Sequence, residues 1–317
     1  MPLNYDAIAA LTEKKYIPEL VDNFFKSHAL LVLLKEKAYK PFTGLKIVEP
    51  LIYGELSGVT SYDAYDPVTY DQNTPITAAE YDWKHLVAPI IWPKTDEIKN
   101  NGSDVQVKDA IQAKVQIAEE SLKKAFATQI YGDGTGNSGK NITGLGATIA
   151  TTGTYGGIDR ATYTWWQAKV YANGGTARPL TTRLMRKMFL ELSDGPDQPD
   201  LIITTDALWN RYAEIAEGKL TLSNQNSRKL ADLGFQVLEF MGVPVVNDKD
   251  CPAGTMYYLN LKYLKLRYSP IANFSTTRIH QADNMVAFKQ EILWSGNLTC
   301  SNCSRQGKIL DLDESQY

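Results

Sequence analysis

The chain has 317 residues, of which 44% are hydrophobic and 22% are charged, as in an ordinary globular protein. Lys and Arg number 33 against 36 Asp and Glu, so the formal net charge is −3. No overall positive field would draw such a chain onto DNA or an anionic membrane. The length allows two domains, or one large domain with insertions.

The sequence carries no targeting signal that we recognise. Its first residues lack a basic segment followed by an apolar core, so we expect no signal peptide. The longest apolar run near the start, residues 29–34, is too short to span a bilayer. Three cysteines, Cys251, Cys300 and Cys303, suit a reducing compartment. We therefore expect a protein made in the cytoplasm, with no membrane partner.

The N-terminal third predicts an unusual extended loop. Residues 16–40 mix short apolar clusters with charge and predict one or two short helices. Residues 41–56 and 76–92 have β-rich patterns. Between them, residues 57–78 are rich in Tyr, Asp, Thr, Pro and Gly and have no helical period. A hairpin loop of this length needs another surface to lie on, and the 18 tyrosines of the chain are typical of a protein that buries surface against other chains.

The strongest predicted element is a helix over residues 104–131. Apolar residues recur there at steps of three and four and form one stripe: Val107, Ile111, Val115, Ala118, Leu122, Ala125 or Phe126, and Ile130. Ser103 and Gln106 fit a capping box, and Gly132 suits a left-handed position after the last turn. The helix would be about 40 Å long.

The stretch after this helix resembles a phosphate-binding loop in its spacing alone. Gly134, Gly139 and Lys140 match G-x-x-x-x-G-K, but Asn141 stands where a Ser or Thr hydroxyl would bind Mg²⁺. In a true phosphate loop the glycines open a helix, whereas here they follow one. We expect a helix stop and a turn, and a nucleotide hydrolase at residues 134–141 is a disfavoured alternative.

The second half predicts an α/β unit that follows a Thr- and Gly-rich joint at residues 148–157. Asp206 is the expected cap of one of its helices. The expected helices are 181–192 and 207–217, and the expected strands are 199–205, 240–248, 255–261 and those within 284–303. The last strands are expected to pack beside an earlier element, such as the long helix.

No residue pattern predicts catalysis, so we expect neither an enzyme nor a cofactor. Cys300 and Cys303 have the spacing of half a zinc site or a redox pair, but one such pair is a weak signal. Three other groups have plainer interpretations than the sites they resemble. These are Asp194, Asp197 and Asp200 as a solvated turn rather than a calcium loop, Trp165 and Trp166 as core or interface residues rather than a stacking platform, and Asp311, Asp313 and Glu314 as a polar terminus.

Taken in order, these features resemble the major capsid proteins of tailed bacteriophages with the Hong Kong 97-type fold. The most specific match is the stretch DVQVKDAIQAKVQIAEESLKKAFATQIYGDGTGNSGKNITGL, which looks like the family's spine helix and the glycine-rich turn after it. The stretch KKYIPELVDNFFKSHALLVLLKEKA looks like its N-terminal arm. The resemblance covers nearly the whole chain.

The resemblance implies an α+β fold in which an axial α/β domain is inserted into a peripheral domain. The implied division is an N-terminal arm at 1–45, an extended β-hairpin loop at 46–92, a peripheral domain at 93–150 with its spine helix at 104–131, an axial domain at 151–268, and C-terminal strands of the peripheral domain at 269–317. The implied function is self-assembly into an icosahedral shell, as pentamers and hexamers, around packaged double-stranded DNA that is bound without sequence specificity. The virion would be the protein's final location, after assembly in the host cytoplasm.

The contact residues that we expect at the tip of the extended loop are Tyr62, Asp63, Tyr65 and Asp66; the partner residues are not readable from the sequence. Some relatives cross-link through a lysine on this loop, but residues 54–83 contain none, and Lys46 and Lys84 stand only at its base. We therefore expect no cross-linking. The arm begins almost at once, so a separate scaffolding protein is an expected partner, together with a portal and decoration proteins.

Two further alternatives remain open on the sequence alone. An encapsulin, a cellular nanocompartment with the same fold, would load an enzyme cargo on its inner wall. A generic binding module built on the axial-like domain would leave the long loop and helix unexplained.

Overall fold

The structure, a computed structural model, describes residues 29–54, 59–66, 75–95, 104–216, 231–232, 237–282 and 285–315. The longer helices of this part of the chain are α1 (Ala29–Lys37), α2 (Asp104–Tyr131), α3 (Thr182–Leu192) and α4 (Asp206–Ala216). Single helical turns occur at Gly136–Gly139, Leu145–Thr148, Thr164–Trp166 and Cys303–Arg305. The expected arm before residue 29 and the expected capping residue Ser103 lie outside the described residues.

The strands form two larger sheets and two hairpins. They are β1 (Tyr39–Pro41), β2 (Ile47–Ile52), β3 (Ile76–Tyr81), β4 (Lys84–Pro93), β5 (Thr154–Tyr155), β6 (Ile158–Asp159), β7 (Lys169–Tyr171), β8 (Leu201–Thr204), β9 (Val237–Phe240), β10 (Val243–Asn247), β11 (Met256–Leu259), β12 (Leu264–Thr276), β13 (His280–Gln281), β14 (Ala287–Cys300) and β15 (Gly307–Ile309).

The first sheet is built on the long strand β14. Strand β12 pairs with it antiparallel from Leu264 opposite Cys300 to Thr276 opposite Ile292, and β13 continues along the same side. Strand β4 runs antiparallel along the other side, and β1 pairs in parallel with β12. Helix α2 packs against this sheet, where the rings of Phe126 and Trp294 meet edge to face at 5.0 Å.

The second sheet has six strands in the order β7-β15-β11-β8-β10-β9. Alternate residues of its strands enter different cores, as the two-residue period of a strand requires. One face lies under α3 and α4, whose Phe189 and Tyr212 both contact the ring of Phe240. Leu201, Ile203 and Tyr257 on the other face belong to the core shared with α2.

Helix α2 therefore links the two sheets. At its last residue, the Tyr131 hydroxyl donates a hydrogen bond to the Asp248 carboxylate at 2.8 Å, and its ring packs on Tyr257 at 5.8 Å. Tyr131 is buried, and burial is the main reason why the pKa of its hydroxyl lies well above the ordinary value. The hydroxyl therefore remains a donor to Asp248 at physiological pH.

The glycine-rich segment after α2 folds back onto the end of the helix. A Cβ at Gly144 would lie 2.2 Å from the Ile130 carbonyl oxygen, so only glycine permits this approach. The left-handed conformation that we expected at Gly132 occurs instead at Gly134, whose φ is 82°. The turn is thus made two residues later than the sequence pattern indicated.

The hairpin of β2 and β3 is held at its base by a buried carboxylate. Glu49 on β2 is 1% exposed and accepts hydrogen bonds from Arg267 Nε at 2.5 Å, Lys265 Nζ at 2.9 Å and Thr299 Oγ1 at 3.2 Å. Burial alone would raise the pKa of Glu49, but the two cations outweigh that effect and hold the pKa below its ordinary value. The base of the hairpin is therefore tied to β12 and β14.

Aromatic residues add to this attachment. The Tyr81 hydroxyl donates to the Cys300 carbonyl oxygen at 2.7 Å. The Tyr53 ring stacks on Trp165 with 5.2 Å between ring centroids. Trp166 is buried and donates its indole N–H to the Tyr155 carbonyl oxygen at 2.9 Å. The tryptophan pair thus serves the core and the hairpin, not a stacking platform.

One other local expectation differs from the structure. Asp206 is the first residue of α4, and it is Thr205 Oγ1 that accepts from the Leu208 N–H, at 3.5 Å. The strand within residues 284–303 is β14, which packs beside α2 as expected, while residues 307–309, for which no strand was expected, form β15 between β7 and β11. Short, isolated runs such as residues 307–309 carry too little pattern to assign a sheet.

We predict that Glu49→Gln lowers the free energy of unfolding of the unassembled chain by about 3 kcal/mol, because it leaves Lys265 and Arg267 without their buried carboxylate. The measurement is urea unfolding at neutral pH. The ionised Glu49 carboxylate should contribute its full share to the free energy of unfolding above the ordinary glutamate pKa of 4.5. This share should disappear as pH falls through the lower pKa that Glu49 has in the folded chain.

Glu80→Gln is the matched control, since Glu80 lies on the same hairpin in an exposed pair with Lys46 at 3.0 Å. It should change the free energy of unfolding by less than about 1 kcal/mol. Equal effects of the two substitutions would contradict the importance of the buried network.

Candidate subunit interface

The outward face of the hairpin presents apolar side chains to solvent. Strands β2 and β3 pair only with each other among the described strands, with Ile52 opposite Ile76. Burial alternates along β2, so that Ile47, Glu49 and Leu51 point inward. The outward residues include Ile52, which is 81% exposed, and Ile76, which is 64% exposed. Apolar side chains grouped on a free strand pair are typical of a surface that another chain covers.

The four expected contact residues lie together on one turn beyond this hairpin. The Asp66 N–H donates to the Asp63 carbonyl oxygen at 2.9 Å, and the Asp63 N–H donates to an Asp66 carboxylate oxygen at 3.0 Å. These two bonds close the turn. Tyr62 is 74% exposed and Tyr65 is 99% exposed. The structure thus brings Tyr62, Asp63, Tyr65 and Asp66 together as an exposed aromatic and acidic tip.

A groove between α2 and the edge strand β4 offers a concave apolar surface. Its volume is about 550 Å³. Its lining residues are Leu86, Val87, Ala88, Pro89, Ile90, Ile91, Lys114, Ile117, Ala118, Ser121, Leu122 and Ala125. Val87, Ile91 and Ile117 are about half exposed or more in the single chain. Lys114 is the one charged residue in this lining.

The groove was not predicted from the sequence, although a signal for it exists. Val115 and Leu122 belong to the buried stripe of α2, whereas Ile117 is apolar but lies outside that stripe. On β4, Val87 and Ile91 take the exposed phase of the strand while Ala88 and Ile90 take the buried one. Apolar residues on the outward phase of two neighbouring elements indicate a second contact surface.

The glycine-rich turn does not form a cradle for phosphate. Its backbone N–H groups are already used within the turn: Gly139 donates to Thr135, Lys140 to Asn137 and Asn141 to Gly136. The segment follows α2 instead of preceding a helix of useful length, so no helix dipole points at an anion there. The geometry disfavours a nucleotide site at residues 134–141.

The cysteines are buried thiols. Cys251, Cys300 and Cys303 are free, and burial raises the pKa of Cys251 and of Cys300 well above the ordinary value. The buried Arg160 guanidinium approaches Cys303 Sγ at 3.9 Å and otherwise donates to backbone carbonyl groups. Among the described residues, no cluster of three or more His, Cys, Asp or Glu side chains could hold a metal ion.

The three aspartates between α3 and β8 lie on and just after an exposed turn, as expected; Asp194 and Asp197 close it with two backbone hydrogen bonds, and each of the three also pairs with a cation. Asp194 pairs with Arg305, Asp197 lies 2.7 Å from Lys262 Nζ, and Asp200 lies 3.5 Å from Lys37 Nζ. Lys262 follows β11 of the second sheet, Arg305 follows β14 of the first sheet, and Lys37 is the last residue of α1. The three ion pairs therefore link the segment between α3 and β8 to α1 and to the segments that follow β11 and β14.

No described helix is both long and apolar enough to cross a membrane. No curated protein sequence matches the chain. Solved structures do match it, and three of them have sequence identities of 23% or less, so that each likeness concerns the fold alone.

A chain of the cyanophage A-1(L) capsid superposes with a TM-score of 0.70 at 23% identity, covering 92% of this chain and 94% of the other. A chain of the capsid of a native GTA particle superposes with a TM-score of 0.58 at 12% identity, covering 88% of this chain and 90% of the other. A chain of an encapsulin complex from Synechococcus elongatus superposes with a TM-score of 0.56 at 12% identity, covering 92% of this chain and 90% of the other. The chain therefore has the mixed helix and sheet fold of phage capsid proteins, which encapsulins share.

The family comparison separates these functions where the fold cannot. The model of the SU10 major capsid protein family matches residues 94–313, which is more than half of the chain. This match spans α2, the glycine-rich turn, the whole second sheet and strands β12 to β14 of the first sheet. The chain belongs to the SU10 major capsid protein family and is a shell-forming structural protein of a bacteriophage capsid, not an enzyme.

Proposed function

We propose that this protein is the subunit of an icosahedral head shell that encloses packaged double-stranded DNA, and that the shell assembles in the host cytoplasm as pentamers and hexamers. The observation that carries the proposal is the hairpin, which exposes apolar residues on one face and ends in an exposed aromatic tip. Such an element is costly in an isolated chain and is stable when a neighbouring copy covers it. The encapsulin alternative has only a distant likeness of fold in its favour.

The finer Hong Kong 97-type details belong to this proposal. Helix α2 takes the role of the spine helix and residues 151–268 that of an inserted axial domain. The extended loop was expected over residues 46–92, but β4 pairs with β14 in the first sheet, which favours ending the loop before Lys84. The pairing of β15 within the six-stranded sheet favours adding residues 307–309 to the axial domain, while β14 serves the peripheral domain at 93–150 and 269–317.

The hairpin tip of each subunit lies in the α2–β4 groove of its neighbour. Tyr62 and Tyr65 supply the apolar area, and the groove presents Val87, Ile91 and Ile117 to receive it. Asp63 and Asp66 give the tip a negative charge, which complements Lys114 at the groove. A head-to-tail contact of this kind links tip to groove around a ring and closes it.

A separate scaffolding protein, a portal and decoration proteins complete the assembly. The scaffolding protein would place the five-membered and six-membered rings, the portal would admit the DNA, and the decoration proteins would reinforce the outer surface.

The first expected outcome concerns assembly itself. Expressed with its neighbouring genes, the chain should form closed shells of hundreds of subunits, measured as particle mass by light scattering and as shape by electron microscopy. Shells loaded with an enzyme cargo instead of DNA would favour the encapsulin alternative. A discrete monomer or dimer under every condition would contradict the proposed function.

The second expected outcome is the absence of covalent cross-links. Residues 54–83 contain no lysine, and the two lysines at the hairpin base are held within the subunit, Lys46 by Glu80 at 3.0 Å and Lys84 by the Gly139 carbonyl oxygen. Mature particles should therefore dissolve to a monomer band in a denaturing gel. A ladder of oligomer bands would be the contrary result.

The third expected outcome tests the tip and the groove together. The double variant Tyr62→Ser/Tyr65→Ser should raise the subunit concentration needed for assembly at least tenfold, corresponding to a loss of about 1.4 kcal/mol per contact. Tyr163→Ser is the control, because Tyr163 is 48% exposed but lies outside both surfaces. Circular dichroism of the unassembled chain should be unchanged in every variant.

Contact between the two surfaces is measured by a double-mutant cycle between Tyr65→Ser and Ile117→Ser. If the side chains touch across the interface, the combined loss should fall short of the sum by about 0.5 kcal/mol or more. Simple additivity would place the tip elsewhere on the neighbour.

A further inference from the structure

The outward face of α3 carries three cations. Arg183, Arg186 and Lys187 are exposed, and Leu190 continues the same face at 57% exposure. The opposite face is buried against the six-stranded sheet through Met185, Met188, Phe189 and Leu192. We call Arg183, Arg186 and Lys187 the basic face of α3.

No carboxylate in the described part of the chain forms an ion pair with this basic face. The one carboxylate on α3, Glu191, is used by Lys169 at 3.5 Å and by the Tyr171 hydroxyl. Lys187 Nζ instead lies 5.0 Å from the centroid of the Tyr171 ring. Arg183 and Lys187 stand four residues apart, a spacing at which like charges on a helix repel each other. An anion outside the subunit would relieve that repulsion.

We propose that the basic face of α3 contacts the backbone phosphates of duplex DNA inside the shell; this inference rests on the proposed function. Four residues separate Arg183 from Lys187 by about 6 Å along the helix axis, close to the axial rise of two phosphate steps on one DNA strand, about 7 Å. Arginine suits phosphate because its planar guanidinium can donate two parallel hydrogen bonds. The net charge of the whole chain is −3, so the attraction is local and the wall as a whole does not hold the genome tightly.

A phosphate backbone explains this face better than another protein surface does. The face is the convex side of a helix, and its only large exposed apolar residue is Leu190. Stable contacts between protein subunits have an apolar centre, which this face lacks. Contact with phosphates requires only reach and charge, and it needs no pocket.

The test is binding of the purified full-length chain, before shell assembly, to a short fluorescent duplex of mixed sequence at several salt concentrations. The variant Arg183→Gln/Arg186→Gln/Lys187→Gln should bind more weakly, and the slope of log K against log salt should become shallower by about 2.7, for three lost phosphate contacts. The variant Lys123→Gln/Lys124→Gln/Lys140→Gln removes the same charge from α2 and the glycine-rich turn and should leave the slope unchanged. An equal change in both variants, or in neither, would overturn the proposal.

The position of the face in the particle gives an independent test. Arg186→Cys introduces an accessible thiol, while Cys251, Cys300 and Cys303 are buried and give little background. In intact DNA-filled particles a bulky maleimide should not label this thiol, and it should label it after the particles are opened. Labelling of intact particles would place the face outside and overturn the proposal.

Shell formation separates this inference from the proposed function. The triple glutamine variant should form shells as the wild type does. Loss of shells with unchanged DNA binding would identify the face as a contact between copies, which would overturn the DNA proposal alone. Failure of the wild type to form shells would instead reject the proposed function.

Discussion

For a hairpin that has no third strand within the described part of its own subunit, attachment to the rest of the subunit is the constraint that fixes its position. Glu49 supplies that constraint, because its buried carboxylate must stay beside Lys265 and Arg267. A slip of one residue along β2 would turn Glu49 to solvent and bring Val48 or Pro50 inward. The ion network therefore fixes the register of the hairpin, and so decides which of its residues face outward.

Helix α2 connects the first sheet, to which the hairpin is attached, with the second sheet. Its C-terminal part packs on the first sheet through Phe126, and its last residue, Tyr131, meets the second sheet at Asp248 and Tyr257. Gly144 then lets the following turn close against the helix end. The groove and the hairpin base are thereby carried on one continuous framework, so their separation within a subunit is set by packed side chains and not by a loop.

Much of this could be predicted from the sequence where patterns are long. The apolar stripe indicated the bounds of α2, and the β-rich patterns indicated β2, β3 and β4. Contact of the tyrosine-rich segment with another chain stays a prediction. The groove could not be predicted because its lining comes from β4 and α2, whose adjacency depends on tertiary packing. Thr205 and Gly134 replaced Asp206 and Gly132 since cap geometry is decided by one or two backbone angles, to which residue type is a weak guide. The cations that pair with Asp194, Asp197 and Asp200 come from distant segments, which no local motif reveals.

The position of β15 in the second sheet bears on when a subunit becomes competent during its synthesis. This strand lies between β7 and β11, so a central place in the sheet stays vacant until residues 307–309 have left the ribosome. Contacts between such distant parts of a chain form late. A nascent chain therefore cannot complete the domain beneath α3 and α4 while it is still being translated through β12 and β14. A chain without residues 307–309 therefore lacks an interior strand of the sheet that packs under α3 and α4.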